Sequence, residues 1–92
     1  MITGGIDSSR IQAMIAQLRA HHAARLDELH TAVVSAREPQ SAADVVPVLF
    51  RRPLDLQQRY FAMGEAIAHL NHLWRTGRLQ RTTTGGGIRF AA

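Results

Sequence analysis

The sequence has 92 residues, the size of one small domain, which excludes a second independent core. Hydrophobic residues make up 46% and charged residues 20% of the chain, which is typical of a folded globular protein and not of a disordered one. There is no cysteine, so a disulfide framework, a thiol nucleophile and a cysteine-ligated zinc site are all excluded.

The formal net charge of +4 is unevenly distributed along the chain. Residues 1–65 contain seven arginines and seven acidic residues, whereas residues 66–92 contain four arginines and no acidic residue. The net charge therefore lies in the C-terminal third, on Arg75, Arg78, Arg81 and Arg89. A basic end of this kind is either a solvated surface or a nucleic-acid contact.

Targeting signals are not evident in the sequence. The N-terminus lacks a basic region followed by an apolar one, and no apolar run reaches the ~18 residues that a membrane span needs. The lack of cysteine is compatible with a reducing compartment, so we expect a cytoplasmic protein. We expect residues 1–7 to form a flexible lead and residues 8–92 to form one domain.

The first predicted helix runs from about Ser8 to about Ala36. Asp7 is its expected N-cap, with Ile6 and Ile11 at the two positions of a hydrophobic staple. Pro39 ends the helix because the residue before a proline is displaced from helical geometry. Apolar-face positions recur at steps of three or four: Ile11, Ile15, Leu18, His22, Leu26, Leu29 and Val33.

A short second helix is predicted after Ser41, which is an N-cap residue followed three positions later by Asp44. Pro47 lacks the N–H that would bond to the Ala43 carbonyl, so we expect an irregularity or kink there. The segment 51–53, Arg-Arg-Pro, closes this helix.

The third predicted helix runs from about Asp55 to about Thr76. Asp55 and Gln58 form a second capping arrangement, and Gly77 suits the left-handed position after the helix. Small residues that would allow close helix packing are Ala62, Gly64, Ala66 and Ala68. The predicted buried positions step by four and three: Leu56, Tyr60, Met63, Ile67, Leu70 and Trp74.

Two short β-compatible runs flank the glycine-rich segment 84–87 and predict a hairpin, with Leu79, Ile88 and Phe90 pointing inward. The predicted fold is mainly α and winged-helix-like, with three helices followed by a small C-terminal β-hairpin. The short strand that usually lies between the first two helices of a winged helix would be compressed into residues 38–40.

Four strings in the sequence resemble one family. They are residues 18–26 (LRAHHAARL), 48–52 (VLFRR), 64–73 (GEAIAHLNHL) and 77–79 (GRL). In this order and spacing they resemble the C-terminal winged-helix domain of bacterial metallo-β-lactamase-fold hydrolases, in the glyoxalase-II-like and RNase-like branch. The resemblance extends from about Ser8 to Phe90.

The resemblance implies a non-catalytic accessory domain that packs on a catalytic domain and shapes the edge of its substrate cleft. Zinc would be bound upstream by a His-x-His-x-Asp-His motif, which is absent here. We therefore expect an excised domain or shortened product with no cofactor and no hydrolase activity of its own. His21, Arg25 and His69 match the family's motif positions, and the resemblance implies that they support domain packing.

Other catalytic and metal-binding readings are weaker. His69 and His72 share a helix face, but two histidines without a carboxylate at ligand spacing do not make a metal site. Ser8, Ser9 and Ser41 are explained by helix starts, which leaves no serine in a nucleophile-elbow context. We therefore assign no catalytic, cofactor-binding or metal-ligating residue.

One alternative remains: a stand-alone winged-helix protein that binds nucleic acid. Its contacts would come from the basic wing, on Arg75, Arg78, Arg81 and Arg89. Against this, the middle of the third helix is poor in base-reading side chains, and Glu65 would face phosphates. Finally, the apolar residues of the first helix could exceed what one small core buries, so a homodimer in isolation is a further expectation.

Overall fold

The computed structural model describes residues 8–92, and the predicted lead, the Asp7 cap and the Ile6 contact lie outside the described residues. Three helices precede one hairpin: α1 is Ser8–Ser35, α2 is Ala42–Leu49, α3 is Leu56–Arg75, β1 is Gln80–Thr84 and β2 is Gly87–Ala91. This order confirms the predicted mainly α, winged-helix-like architecture.

Both predicted capping arrangements are present. The Ser41 N–H donates to the Asp44 carboxylate at 2.9 Å, and the Asp44 N–H donates to the Ser41 hydroxyl at 3.2 Å. At the start of α3, Asp55 and Gln58 exchange the equivalent bonds at 3.0 and 2.8 Å. These reciprocal bonds satisfy N–H groups that a helix start would otherwise leave without partners.

Two further residues shape the helix ends. Gly77 has a φ of 80°, the left-handed geometry predicted for it, and α3 ends just before it. Pro47, by contrast, lies inside α2, which continues to Leu49 without a break. The expected irregularity is not seen because only the Ala43 carbonyl loses its helical partner, and Ala43 is exposed to water.

The hairpin is antiparallel and is tied to the segment between α1 and α2. Gln80 lies opposite Ala91, and Arg81 lies opposite Phe90. Gln40 and Phe90 then exchange two backbone hydrogen bonds of 2.8 Å. The compressed strand predicted between the first two helices is therefore a single bridging residue, and it fixes the hairpin against the helices.

The core lies where the three helices meet the base of the hairpin. Its buried side chains come from all three helices, from the turn before β1 and from β2: Leu29, Val33, Val45, Leu49, Ala66, Leu70, Leu73, Leu79 and Phe90. Ile88, predicted to point inward, is 47% exposed. It follows the same strand face as Phe90 but lies two residues nearer the tip, beyond the reach of the helices.

Only the C-terminal half of α1 enters the core. Leu29 and Val33 are buried, whereas Ile11, Ile15 and Leu18 of the same predicted face are 42–58% exposed. The N-terminal half of α1 projects beyond the other described elements, which gives the molecule its elongated dimensions of 63 × 32 × 20 Å. No helix within residues 8–92 is long and apolar enough to cross a membrane.

The buried face of α3 differs from the predicted one. Ala62 and Ala66 are fully buried, and the same face continues to Leu70 and Leu73. Three of the larger residues predicted to be buried are instead exposed: Leu56 at 70%, Tyr60 at 74% and Ile67 at 45%. The physical reason is close helix packing, because the two alanines allow neighbouring backbone to approach α3 where larger side chains would not.

Candidate functional site

The three residues expected to support domain packing line one small cleft between α1 and α3. His21 and Arg25 come from α1, and His69 comes from α3. The cleft has a volume of about 160 Å³. The helices thus bring together residues that are 44 to 48 positions apart in the sequence.

Arg25 joins α1 to the end of α2. Its guanidinium donates a hydrogen bond to the Leu49 carbonyl and lies 5.4 Å from the centre of the Phe50 ring. A cation is favoured at this point because the carbonyl groups at a helix C-terminus carry partial negative charge. The Phe50 ring adds a cation–π contact. Arg25 is therefore oriented by two independent contacts.

His69 is held by its own helix. Its Nδ1 lies 2.7 Å from the Glu65 carbonyl oxygen and 3.7 Å from a Glu65 carboxylate oxygen, and its side chain is 15% exposed. Because a carbonyl only accepts hydrogen bonds, Nδ1 carries the hydrogen, and Nε2 of the neutral ring remains an acceptor. His69 is thus largely buried and hydrogen-bonded within α3.

His22 connects the histidines of the two helices. Its ring centre is 6.5 Å from that of His21 and 6.2 Å from that of His69, with the second pair meeting edge to face. Nevertheless, within residues 8–92 no three His, Cys, Asp or Glu side chains are placed to hold a metal ion. The described residues of this cleft therefore do not fit a zinc site.

Besides the predicted residues and His22, four residues that were not anticipated line the cleft: Leu49, Phe50, Phe61 and Glu65. Glu65 stands four positions before His69, a spacing that places two side chains on one helix face and could have indicated the pair. Phe50 and Phe61 come from the end of α2 and the first half of α3, and no local pattern predicts that they approach α1. Their position depends on the tertiary packing.

Three of the four arginines of the basic end contact other side chains in the described part of the domain. Arg78 forms an ion pair of 2.8 Å with Asp27, and Arg89 one of 3.6 Å with Asp44. Arg81 donates to the Asn71 side chain at 2.9 Å and stacks 3.7 Å from the centre of the Trp74 ring. The fold thus places acidic residues of α1 and α2 beside arginines of the C-terminal third, whose positive charge has no acidic residue near it in the sequence.

The helix order, the hairpin and the Gln40 bridge define this protein as a mainly α, winged-helix-like domain. Residues 26–92 match the family described as metallo-beta-lactamase-like, C-terminal domain. The chain belongs to that family. This confirms the resemblance derived from the sequence strings.

A solved structure extends the comparison. The chain is 51% identical to a protein described as a beta-lactamase domain protein from Burkholderia ambifaria, with a TM-score of 0.72 over 85% of the chain. It corresponds to 22% of the length of that protein. Comparison with curated proteins found no match.

Proposed function

We propose that this domain is a non-catalytic accessory module that packs against the catalytic domain of a metallo-β-lactamase-fold hydrolase and shapes the edge of its substrate cleft. The catalytic domain would lie in the same polypeptide or in a separate one. The hydrolase itself would be metal-dependent and cytoplasmic, with zinc bound only in its catalytic domain.

The exposed apolar face of α1 is the observation that carries this proposal. Ile11, Met14, Ile15 and Leu18 follow one another on one side of the helix and are 42–58% exposed. Four large apolar side chains in one continuous row are unusual on a free surface and typical of a surface that packs on another protein. The chain spans 22% of the length of the Burkholderia ambifaria protein, so the rest of such a protein is a candidate for the surface that covers this face.

The cleft of His21, Arg25 and His69 continues this face. His21, His22 and Arg25 follow Leu18 in α1 by three, four and seven residues, so these side chains lie on the same side of the helix. The apolar part would supply most of the packing free energy through burial. The polar part would fix the orientation of the two domains through hydrogen bonds.

The nucleic-acid alternative has less support from the geometry. Binding to phosphates requires cations that are available to replace counterions. Arg78 and Arg89 already face carboxylates, and Arg81 is held between Asn71 and Trp74. These contacts reduce the positive charge that the wing offers to nucleic acid.

A chimera tests the proposal directly. The region of the Burkholderia ambifaria protein that matches this chain is replaced by this chain, and thermal unfolding is followed by calorimetry. We expect one cooperative transition, because packed domains unfold together, and separate transitions when Ile15→Asp and Leu18→Asp are introduced. Ile88→Asp is the matched control, since Ile88 is equally exposed but lies on the hairpin; it should leave the single transition unchanged.

Two results would overturn the proposal. The first is a chimera in which the α1 double variant behaves like the unmodified chimera. The second is that this chain on its own forms a dimer in sedimentation velocity, and that the same two α1 substitutions are needed to dissociate it, while the two parts of the chimera unfold in separate transitions. In that case a second copy, rather than a catalytic domain, covers the face.

A further inference from the structure

A second and larger depression lies between α2 and the beginning of α3. It has a volume of about 570 Å³, within the range of small-molecule sites. Its floor is apolar and comes from both helices and the loop between them: Val46, Pro47, Phe50, Leu54 and Met63. We call this depression the α2–α3 groove.

Three arginines surround the α2–α3 groove. Arg51 and Arg52 follow Phe50, the C-cap residue of α2, and Arg59 lies in the first turn of α3. The Arg59 Nε donates to the Leu54 carbonyl at 3.2 Å, which holds its guanidinium against the loop that borders the groove. Each of the three side chains is exposed to solvent.

The charge of the groove is not compensated within the described residues. No Asp or Glu lines it, and Arg51, Arg52 and Arg59 form no ion pair with a carboxylate of residues 8–92. This contrasts with Arg78 and Arg89 near the hairpin, which do form such pairs. Arg75 and Arg81 also form no ion pair with a carboxylate of the described residues, but the groove brings three such arginines together around one apolar floor.

We propose that the α2–α3 groove binds a small organic anion with an apolar body, of the class of medium-chain carboxylates and alkyl phosphates. The apolar body lies on Val46, Leu54 and Met63, where it leaves water. The anionic group is bound by the arginines, whose planar guanidinium groups match carboxylate and phosphate oxygens in a bidentate manner. Both anionic groups share this chemistry.

Two other kinds of occupant fit the groove less well. A neutral apolar ligand would place three cations beside a low-dielectric body without an opposite charge. A nucleic-acid strand would need cations spaced along an extended path, whereas these three arginines lie around one concave apolar floor. The proposal does not depend on domain packing, because none of the three arginines lines the cleft of His21, Arg25 and His69.

The test is a titration of the ¹⁵N-labelled protein with four probes, followed by amide chemical shifts. The probes are octanoate, octyl phosphate, neutral 1-octanol and inorganic phosphate. We expect octanoate or octyl phosphate to shift the amides around Val46, Leu54 and Met63, with affinity at least tenfold above those of octanol and inorganic phosphate. The better of the two alkyl anions identifies the preferred head group.

Variants make the test specific. Arg52→Gln with Arg59→Gln should weaken binding of the alkyl anion about tenfold, because each removes a charge-assisted contact, and should leave octanol unaffected. Arg75→Gln, at the far end of α3, is the matched control and should bind as the unmodified protein does. Dispersed amide spectra of all variants establish that they are folded.

Three outcomes would overturn the proposal. Octanol could bind as tightly as both anions, which would make the groove a purely apolar site. The shifts could instead follow the exposed face of α1, which would mean non-specific apolar adsorption. A single-stranded oligonucleotide could bind through Arg52 and Arg59 more tightly than octyl phosphate, which would assign the groove to nucleic acid.

Discussion

The Arg25 guanidinium lies 5.4 Å from the centre of the Phe50 ring and donates a hydrogen bond to the carbonyl of the preceding residue, Leu49. One side chain of α1 thereby binds both the backbone end of α2 and the first side chain after it. Arg25 thus supports the domain's own structure as well as the cleft that we assign to packing.

Arg25→Ala should lower the free energy of unfolding by about 1–2 kcal/mol, because a half-buried carbonyl loses a charged donor and Phe50 loses a cation–π contact. Arg25→Lys should recover only part of this, since an ammonium lacks the planar geometry for both contacts. Urea unfolding measures these values. Arg19→Ala, on an exposed part of α1, is the control and should change stability by less than about 0.5 kcal/mol.

The buried face of α3 can be tested by a pair of substitutions. Leu70→Ala should destabilise the domain by about 2–5 kcal/mol, because the Leu70 side chain is fully buried and its truncation leaves a cavity. Ile67→Ala removes a 45% exposed side chain and should cost less than about 1 kcal/mol. Equal losses in urea unfolding would contradict the assignment of this face.

Acid should weaken the start of α2. Hydrogen bonds from the Ser41 backbone N–H and, to a smaller extent, from its hydroxyl lower the pKa of the Asp44 carboxyl from its ordinary value of 3.8. Partial desolvation raises this pKa, and the nearby Arg89 guanidinium lowers it further. Because the folded-state pKa is below the unfolded-state one, this stabilisation is complete above 3.8 and is lost as the pH falls through the lower, folded-state value.

Asp44→Asn should therefore destabilise the domain near pH 5 and have a smaller effect as the pH approaches 3. Urea unfolding across this range measures the difference between the two proteins. Glu38→Gln, which changes a carboxylate outside the capping box, should keep the pH dependence of the unmodified protein. A constant difference between Asp44→Asn and the unmodified protein would show that the carboxylate charge contributes nothing.

Zinc should not bind stoichiometrically to this chain. Within residues 8–92 the histidines form no group of three ligands, and two histidines alone hold zinc weakly. Atomic emission of protein purified with added zinc and then dialysed should give less than one zinc per chain. One zinc per chain that is lost in His69→Ala would require a ligand set different from the geometry described above.

Duplex DNA should bind weakly and without sequence preference. Arg78 and Arg89 are paired with carboxylates, so few cations remain on the wing to release counterions from DNA. Fluorescence anisotropy with two unrelated duplexes should give equal affinities that disappear as salt is added. An affinity that differs between sequences and persists at moderate salt would instead favour a DNA-binding regulator.

The sequence predicts local features of this fold well. The caps at Ser41 and Asp55 and the stop at Gly77 depend on residues within a few positions of each other, and all three are present. The face of α3 was predicted only in part. Leu70 is buried as predicted, but the hydrophobic period identifies large residues, whereas Ala62 and Ala66 are buried because they are small. Periodicity alone cannot distinguish an apolar face that is buried in the domain's own core from one that is exposed and available to pack on another protein.

The candidate site was predictable only in part. The family resemblance gave His21, Arg25 and His69, and these three do line one cleft. The groove of Arg51, Arg52 and Arg59 was not anticipated, because its positive charge depends on which arginines form ion pairs with acidic residues in the folded chain. Asp27 lies 51 positions before Arg78, and this separation hides their ion pair from any local reading.

The bridge between Gln40 and Phe90 has a consequence for the order of folding. It joins residues 50 positions apart, and contacts of such separation form slowly because a long loop must close first. The helices can collapse on one another early, while a core position stays empty until Phe90 arrives. During synthesis on the ribosome, the domain should therefore become protease-resistant only after residue 90 has left the exit tunnel.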